Sequence, residues 1–403
     1  MHHKLLVQVA LAHLISHLHI MTIPALLPLL PSFMDVSFLQ LGFALGVFNV
    51  VSAVVQAPLG FLVDRVGAQK MLTYALTVGS ISFALLAVWP VFPMLLFAMC
   101  TAGLANGVYH PADYALLSQG MQPDKMGRAF SIHTFAGFLG AALAPPIFLG
   151  LAQVVDMRWA FALASAAGLI VLSLFLFSRA SPPVIDSVKT PTESVAASLG
   201  EQRPLKISIR GLIGFVFLFM LLSLSTGAID KFSVSALVEG FAVPLSTANQ
   251  GLTVFLFMSA FGVLAGGYLA DRTTEHGVLA AGAFALAAAG VVLIATVSLP
   301  ALLLVAVMAA VGFLTGVVAP SRDMLVRAAS PKGAEGRTFG IVSTGFNIGG
   351  VIGPIFLGYL LDQQLAKGVL WATVAFMLLT TVVVLGQEFK GRTRLRSLQL
   401  GPR

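Results

Sequence analysis

Long apolar stretches separated by short polar breaks run through the chain from end to end. Twelve of them are long enough to cross a bilayer as helices, near residues 5–30, 39–62, 71–89, 93–119, 128–153, 159–178, 210–238, 246–270, 277–298, 300–327, 337–363 and 368–388. About 20 apolar residues are needed for one such crossing. Lipid cannot hydrogen-bond an open backbone, so each run predicts an α-helix. The one long polar segment, 179–209, is rich in Ser, Pro, Glu and Lys and divides the runs six and six. It reads as a flexible linker between a first half, 1–178, and a second, 210–389, followed by a basic tail, 390–403. The expected fold class is therefore an all-α integral membrane protein of twelve transmembrane helices in two six-helix bundles.

Composition agrees with the pattern. Of 403 residues, 58% are hydrophobic and 10% charged, and the mean hydropathy is +0.95, far from soluble averages. The single cysteine, Cys100, lies inside an apolar run, which removes a disulfide framework and a thiolate metal site. No cleavable leader is expected, because the first run is too long and lacks a small-residue cleavage site. The net charge of +7 raises the question of nucleic acid. Its placement answers it. With both termini in the cytoplasm, 19 of the 23 basic residues lie inside, only Arg158 and Lys367 lie outside, and Lys231 and Arg322 fall within runs. That is the positive-inside asymmetry of a multi-pass protein in a bacterial-type inner membrane. Lys390, Arg392, Arg394 and Arg396 in the tail add a topology anchor against anionic lipid.

The two halves repeat each other. Ser37-x-x-x-x-Gly42 returns 209 residues later as Ser246-x-x-x-x-Gly251, and Gly127-Arg128-Ala129-Phe130 returns at the same spacing as Gly336-Arg337-Thr338-Phe339. Pro146-Ile147-Phe148-Leu149-Gly150 returns at 208 as Pro354-Ile355-Phe356-Leu357-Gly358. Three matches with nearly one offset indicate an internal repeat of like-oriented halves, hence pseudo-symmetric bundles.

Chemistry is sought where charge is buried against cost. A charged side chain at mid-bilayer costs about 2.5–3.5 kcal/mol on insertion scales. Away from helix ends, such groups fall on the first, fourth, seventh and tenth runs: His13, His17 and His19; His110 and Asp113; Asp230 and Lys231; Arg322 and Asp323. His133, in the fifth run, stands apart. The candidate substrate- and proton-binding set is His13, His17, Asn106, His110, Asp113, Asp230, Lys231, Arg322 and Asp323. Adjacent helical residues point about 100° apart, so Asp230–Lys231 and Arg322–Asp323 are expected to seek partners on other helices. The repeat offset places Asp113 opposite in sign to Arg322 at equivalent positions, which predicts that they face each other across the interface between halves and pair in one conformation of the protein. His13 and His17 share one helix face, with His19 turned away. Their spacing suits two metal-bound imidazoles, but no thiolate joins them. A proton relay is the simpler reading, since imidazole titrates near neutral pH. No cofactor or resident metal is expected, and no nucleophile–base set suggests an enzyme. Prolines (Pro24, Pro28, Pro31, Pro111, Pro320) and the glycines of the fifth and eleventh runs fall where helices bend or approach closely.

Between the second and third runs stands Gly60-Phe61-Leu62-Val63-Asp64-Arg65-Val66-Gly67, with a weaker copy at Gly267-Tyr268-Leu269-Ala270-Asp271-Arg272. The pattern G-x-L-x-D-R-x-G resembles the loop-2/3 motif of the major facilitator superfamily of transporters, and the copy resembles its loop-8/9 counterpart. The resemblance implies the major facilitator fold and a conformational lock made of Gly60, Asp64, Arg65, Gly67, Arg128, Asp271, Arg272 and Arg337. Asp64 would cap the start of the eleventh helix, and Asp271 that of the fifth. A narrower likeness rests on His13, Ala25-Leu26-Leu27-Pro28-Leu29-Leu30, Ser37-Phe38-x-Gln40-x-Gly42, Phe48-Asn49-x-x-Ser52-x-x-x-Gln56-x-x-x-Gly60 and Tyr109-His110-Pro111. Together they resemble the fosmidomycin-resistance group of drug exporters. This chain has Ser16 and His17 where that group has Asn-Asp, and Ala112 before Asp113 where it has an acid directly after His-Pro. The expectation is a monomeric secondary transporter with alternating access, exporting a small amphipathic or organic-anionic compound against protons. Lys231 and Arg322 would hold the anionic group, and the acids and histidines would carry protons. An importer, uniporter or metal carrier on the same fold stays open, as does a non-transporting sensor or assembly factor.

Overall fold

The structure, a computed structural model, describes residues 2–122, 126–177, 209–330 and 335–399. Twelve helices are long and apolar enough to cross a membrane: α1 (His3–Leu26), α2 (Phe38–Val66), α3 (Ala68–Val88), α4 (Phe92–Gly120), α5 (Ala129–Val154), α6 (Met157–Phe177), α7 (Gly211–Phe241), α8 (Leu245–Ala270), α9 (His276–Thr296), α10 (Ala301–Arg327), α11 (Ile341–Asp362) and α12 (Ala366–Phe389). Among the described residues there is no strand. The expected linker 179–209 lies outside the described residues except for Ile209, which begins the helix that carries α7.

Local chemistry explains several ends. Ser37 and Gln40 form a reciprocal capping box at the start of α2: Ser37 Oγ accepts from the Gln40 amide (3.1 Å) and Gln40 Oε1 from the Ser37 amide (2.8 Å). Gly67 alone joins α2 to α3 at φ +99°, a conformation that costs other residues dearly. The charged motif Gly60–Val66 is therefore the last turns of α2, and its final glycine is the turn. Two boundaries differ from expectation. The first helix ends at Leu26, and the rest of the apolar run becomes a short separate helix, Leu30–Met34, with Pro31 in its first turn. The last helix continues through Gln399, so the tail begins as helix; its Lys and Arg residues have good helix propensity. In α5, Pro145–Leu149 widens into a π-helical turn, consistent with two consecutive prolines that cannot donate to the ladder.

The helices pack as two pseudo-symmetric bundles. In the first, α1 lies on α5, α2 and α3 on α4, and α3 on α6; in the second, α7 lies on α11, α8 and α9 on α10, and α9 on α12. Between bundles α2 packs along α11 and α5 meets α8, with a small contact of α1 on α7. The α2–α11 seam is tight. A Cβ on Gly42 would collide with the Pro354 carbonyl, one on Gly358 with the Phe38 carbonyl, and one on Gly350 would lie 2.7 Å from Asn49 Oδ1. Asp362 accepts the amides of Phe38 and Leu39, each at 2.8 Å. At the same end Asn249 Nδ2 donates to Pro145 O across α8 and α5 (3.3 Å). Toward the opposite end a cavity of about 400 Å³ opens between Phe130, Thr134 and Phe138 of α5, Val263 and Gly267 of α8, and Pro320 of α10. The bundles are thus clamped at one end and parted by a cleft nearer the other.

Candidate functional site

Asp113, one turn beyond the His110–Pro111 step of α4, is fully buried. A carboxylate in that setting needs partners, and α5 and α1 supply them. His133 Nε2 donates to Asp113 Oδ2 at 2.9 Å, and His13 Nδ1 lies 3.3 Å from the same oxygen. The rings of His13 and His133 stack at 3.8 Å with 25° between planes, while His17 and His110 flank His13 at 4.7 and 5.3 Å. Tyr114 closes one side, 5.7 Å from His133 and 6.0 Å from His110. Gly137 makes the space, since a Cβ there would stand 2.7 Å from His13 and 3.0 Å from His17. Asp113 Oδ1, His133 Nδ1 and His110 Nδ1 are buried with no hydrogen-bond partner among the described residues.

The ligand atoms of His13, Asp113 and His133 fall within 4.8 Å of one another, a spacing that a metal ion could exploit. The ring geometry favours a hydrogen-bonded cluster instead. Near-parallel stacked imidazoles present their nitrogens side by side, whereas ligands of one ion point to a common centre.

Arg322 sits differently. Its Nε and Nη2 both reach Asp323 Oδ1 at 2.8 Å, and its guanidinium lies 5.0 Å from the rings of Phe219 and Phe346. One expectation is corrected here. Arg322 and Asp323 are partners on their own helix, because the long arginine side chain curls over to a neighbour that Cβ directions alone would set apart. In the conformation described Asp113 and Arg322 are not paired: His133 and His13 occupy the aspartate, and Asp323 the arginine.

Asp230 and Lys231 form a third place. No ion pair within 4 Å joins either to a described residue, and Lys231 Nζ bends back to 3.7 Å from where a Gly227 Cβ would be.

Other candidates have structural partners. Asn106 Nδ2 donates to Ser52 Oγ (2.7 Å), tying α4 to α2. His19, turned away as expected, meets Ala164 O at 2.9 Å and packs on Phe83. A Cβ on Gly60 would lie 3.9 Å from Pro111 Cβ. Asp64, Arg65, Asp271 and Arg272 are exposed, Arg272 lying 4.0 Å from the Tyr268 ring. The side chains of Arg128 and Arg337 lie outside the described residues. Sequence reasoning left out His133, Phe219 and Phe346. A histidine inside an apolar run was the available signal for the first; the two phenylalanines carried none.

The Major Facilitator Superfamily model matches residues 9–244 and 215–400. The fosmidomycin resistance protein of Escherichia coli (strain K12) is 24% identical over 271 residues, 66% of this chain and 64% of that protein, just under two thirds of its length. The class E tetracycline resistance protein of Escherichia coli is 23% identical over 406 residues, 95% of this chain and 96% of its own. A solved bacterial homologue of the human lysosomal transporter Spinster, in an inward-facing and unoccupied conformation, shares the fold with a TM-score of 0.76 over 98% of both chains at 15% identity. Two six-helix bundles of this kind, matched by that family's model along nearly the whole sequence, place the chain in the Major Facilitator Superfamily.

Proposed function

We propose that this transporter exports a small amphipathic or organic-anionic compound in exchange for protons. It would act as a monomer in a bacterial-type inner membrane with both termini cytoplasmic. The division at 179–209 into two moving halves belongs to the same reading. The observation that carries the proton is the burial of Asp113 between two imidazoles. A carboxylate that water cannot reach must exchange its charge with neighbours, and His133 and His13 stand at hydrogen-bonding and near-bonding distance. Export is supported by the resistance proteins among the relatives. The clamped end would be the outer one, so the described state would be inward-facing. Asp64 would then be released, since the lock of Asp64, Arg65, Arg128, Asp271, Arg272 and Arg337 is expected to engage when the cleft closes.

Arg322, steered by Asp323 and backed by two phenylalanine faces, would meet the anionic or aromatic part of the substrate. The decisive experiment uses everted vesicles. Tetracycline and fosmidomycin serve as first probes, followed by a panel of organic anions. Accumulation driven by an imposed pH gradient, and lost with Asp113→Asn, is expected. Accumulation that persists after the gradient is collapsed would remove the proton from the mechanism.

A further inference from the structure

We propose that Asp362 is the gate residue of the clamped end, holding the two bundles together by completing the N-terminus of α2. The first turn of any helix leaves amides without intrahelical acceptors. In α2 the Gln40 amide is taken by Ser37 Oγ from the same chain segment. The amides of Phe38 and Leu39 have no such local acceptor, and Asp362 from the last turn of α11 takes both, one with each oxygen, at 2.8 Å. The carboxylate also faces the positive end of the helix dipole. Its backbone is brought there by the glycine contacts of Gly42 with Pro354 and Gly358 with Phe38.

Among the described residues this arrangement has no twin at the equivalent place. With the offset of 208 that relates Pro146–Gly150 to Pro354–Gly358, the counterpart of Asp362 at the end of α5 is Val154, which is exposed, so the α5–α8 seam has no carboxylate there. The contact also crosses the boundary that the proposed cycle must open, unlike Asp156, which caps the Arg158 amide (2.8 Å) between consecutive helices of one bundle. When the clamped end parts, the Phe38 and Leu39 amides exchange a charged acceptor for water. Asp362 thereby biases the resting population toward the state described above.

The inference rests on the alternating-access reading, and its test reads positions rather than transport. Spin labels at Phe43→Cys and Leu365→Cys, in a Cys100→Ala background reconstituted in nanodiscs, report the separation of α2 from the turn that follows α11 by pulsed electron resonance. A predominantly short separation is expected. Asp362→Asn should raise the ratio of parted to apposed molecules about tenfold, Asp362→Glu should recover part of it, and Asp156→Asn should leave it unchanged. Should Asp362→Ala fail to fold, Asp362→Asn alone decides. A distance distribution indifferent to Asp362→Asn, or shifted equally by Asp156→Asn, would overturn the assignment. Absence of proton-driven accumulation in the unaltered protein, with an intact response at this seam, would sink the transport reading and leave the gate standing.

Discussion

The two bundles offer the same scaffold position to opposite charges and then treat them in opposite ways. Asp113 and Arg322 are spaced by the repeat offset. Around the aspartate stand His13 and His133; the residues at the same offset in the second bundle are Leu222 and Val342, both buried and apolar. Gly137, which leaves room for His13 and His17, corresponds to Phe346, whose ring faces Arg322. One bundle therefore encloses its charge completely and satisfies it with groups that can give and take protons. The other leaves its charge partly open, at 19% exposure for Arg322 and 48% for Asp323, against flat aromatic faces. Under the proposed function, the first copy of the frame would serve a species as small as a proton and the second something larger.

That contrast can be broken most directly at Asp113. Asp113→Asn keeps the shape and removes the exchangeable charge, and is expected to lower gradient-driven transport by about a hundredfold, the scale of one positioned acid–base group. Counterflow of labelled substrate without a gradient should survive. If both fall together, the first bundle does more than carry protons.

Next in size is the space beside the cluster. Gly137→Ala forces a methyl group toward two imidazoles and should destabilise the protein by about 1–3 kcal/mol, read as a lower melting temperature in detergent. His19→Leu leaves the Ala164 carbonyl without its partner and should cost about 1–3 kcal/mol, with gradient-driven transport per folded molecule unchanged. A coupling defect there would blur the distinction drawn between His19 and the cluster.

The smallest effects belong to the second bundle. Phe346→Ala removes one ring from Arg322 and should weaken substrate binding only a few-fold, in line with about 0.5–1 kcal/mol for a partly exposed cation–π contact. Because Asp113 and Arg322 have separate partners, Asp113→Asn and Arg322→Gln should act additively in thermal stability. An interaction energy above about 0.5 kcal/mol would show that the two bundles communicate through this pair in another state.

The membrane-spanning plan was legible because lipid imposes it: long apolar runs, short breaks and charge kept off most helices leave few alternatives. The concentration of charge on α1, α4, α7 and α10 was legible for the same reason. Partner choice was not. Whether Arg322 turns to Asp323 or to Asp113 depends on the reach of a flexible side chain and on what neighbouring helices present. His133 became central only because α5 lies against α1, which brings it beside His13. The interruption after Leu26 was signalled by Pro28 and Pro31 but not placed, because apolar residues continue on both sides of them.

A single residue, Gly67, separates α2 from α3, and so short a joint has almost no slack. Any tilt that draws the Phe38 end of α2 away from α11 must be absorbed by bending of α2 itself or passed to α3 and, through it, to α6. Lengthening that joint by a few flexible residues would let the rod swing without dragging its neighbours, uncoupling the motion of one helix from that of its bundle.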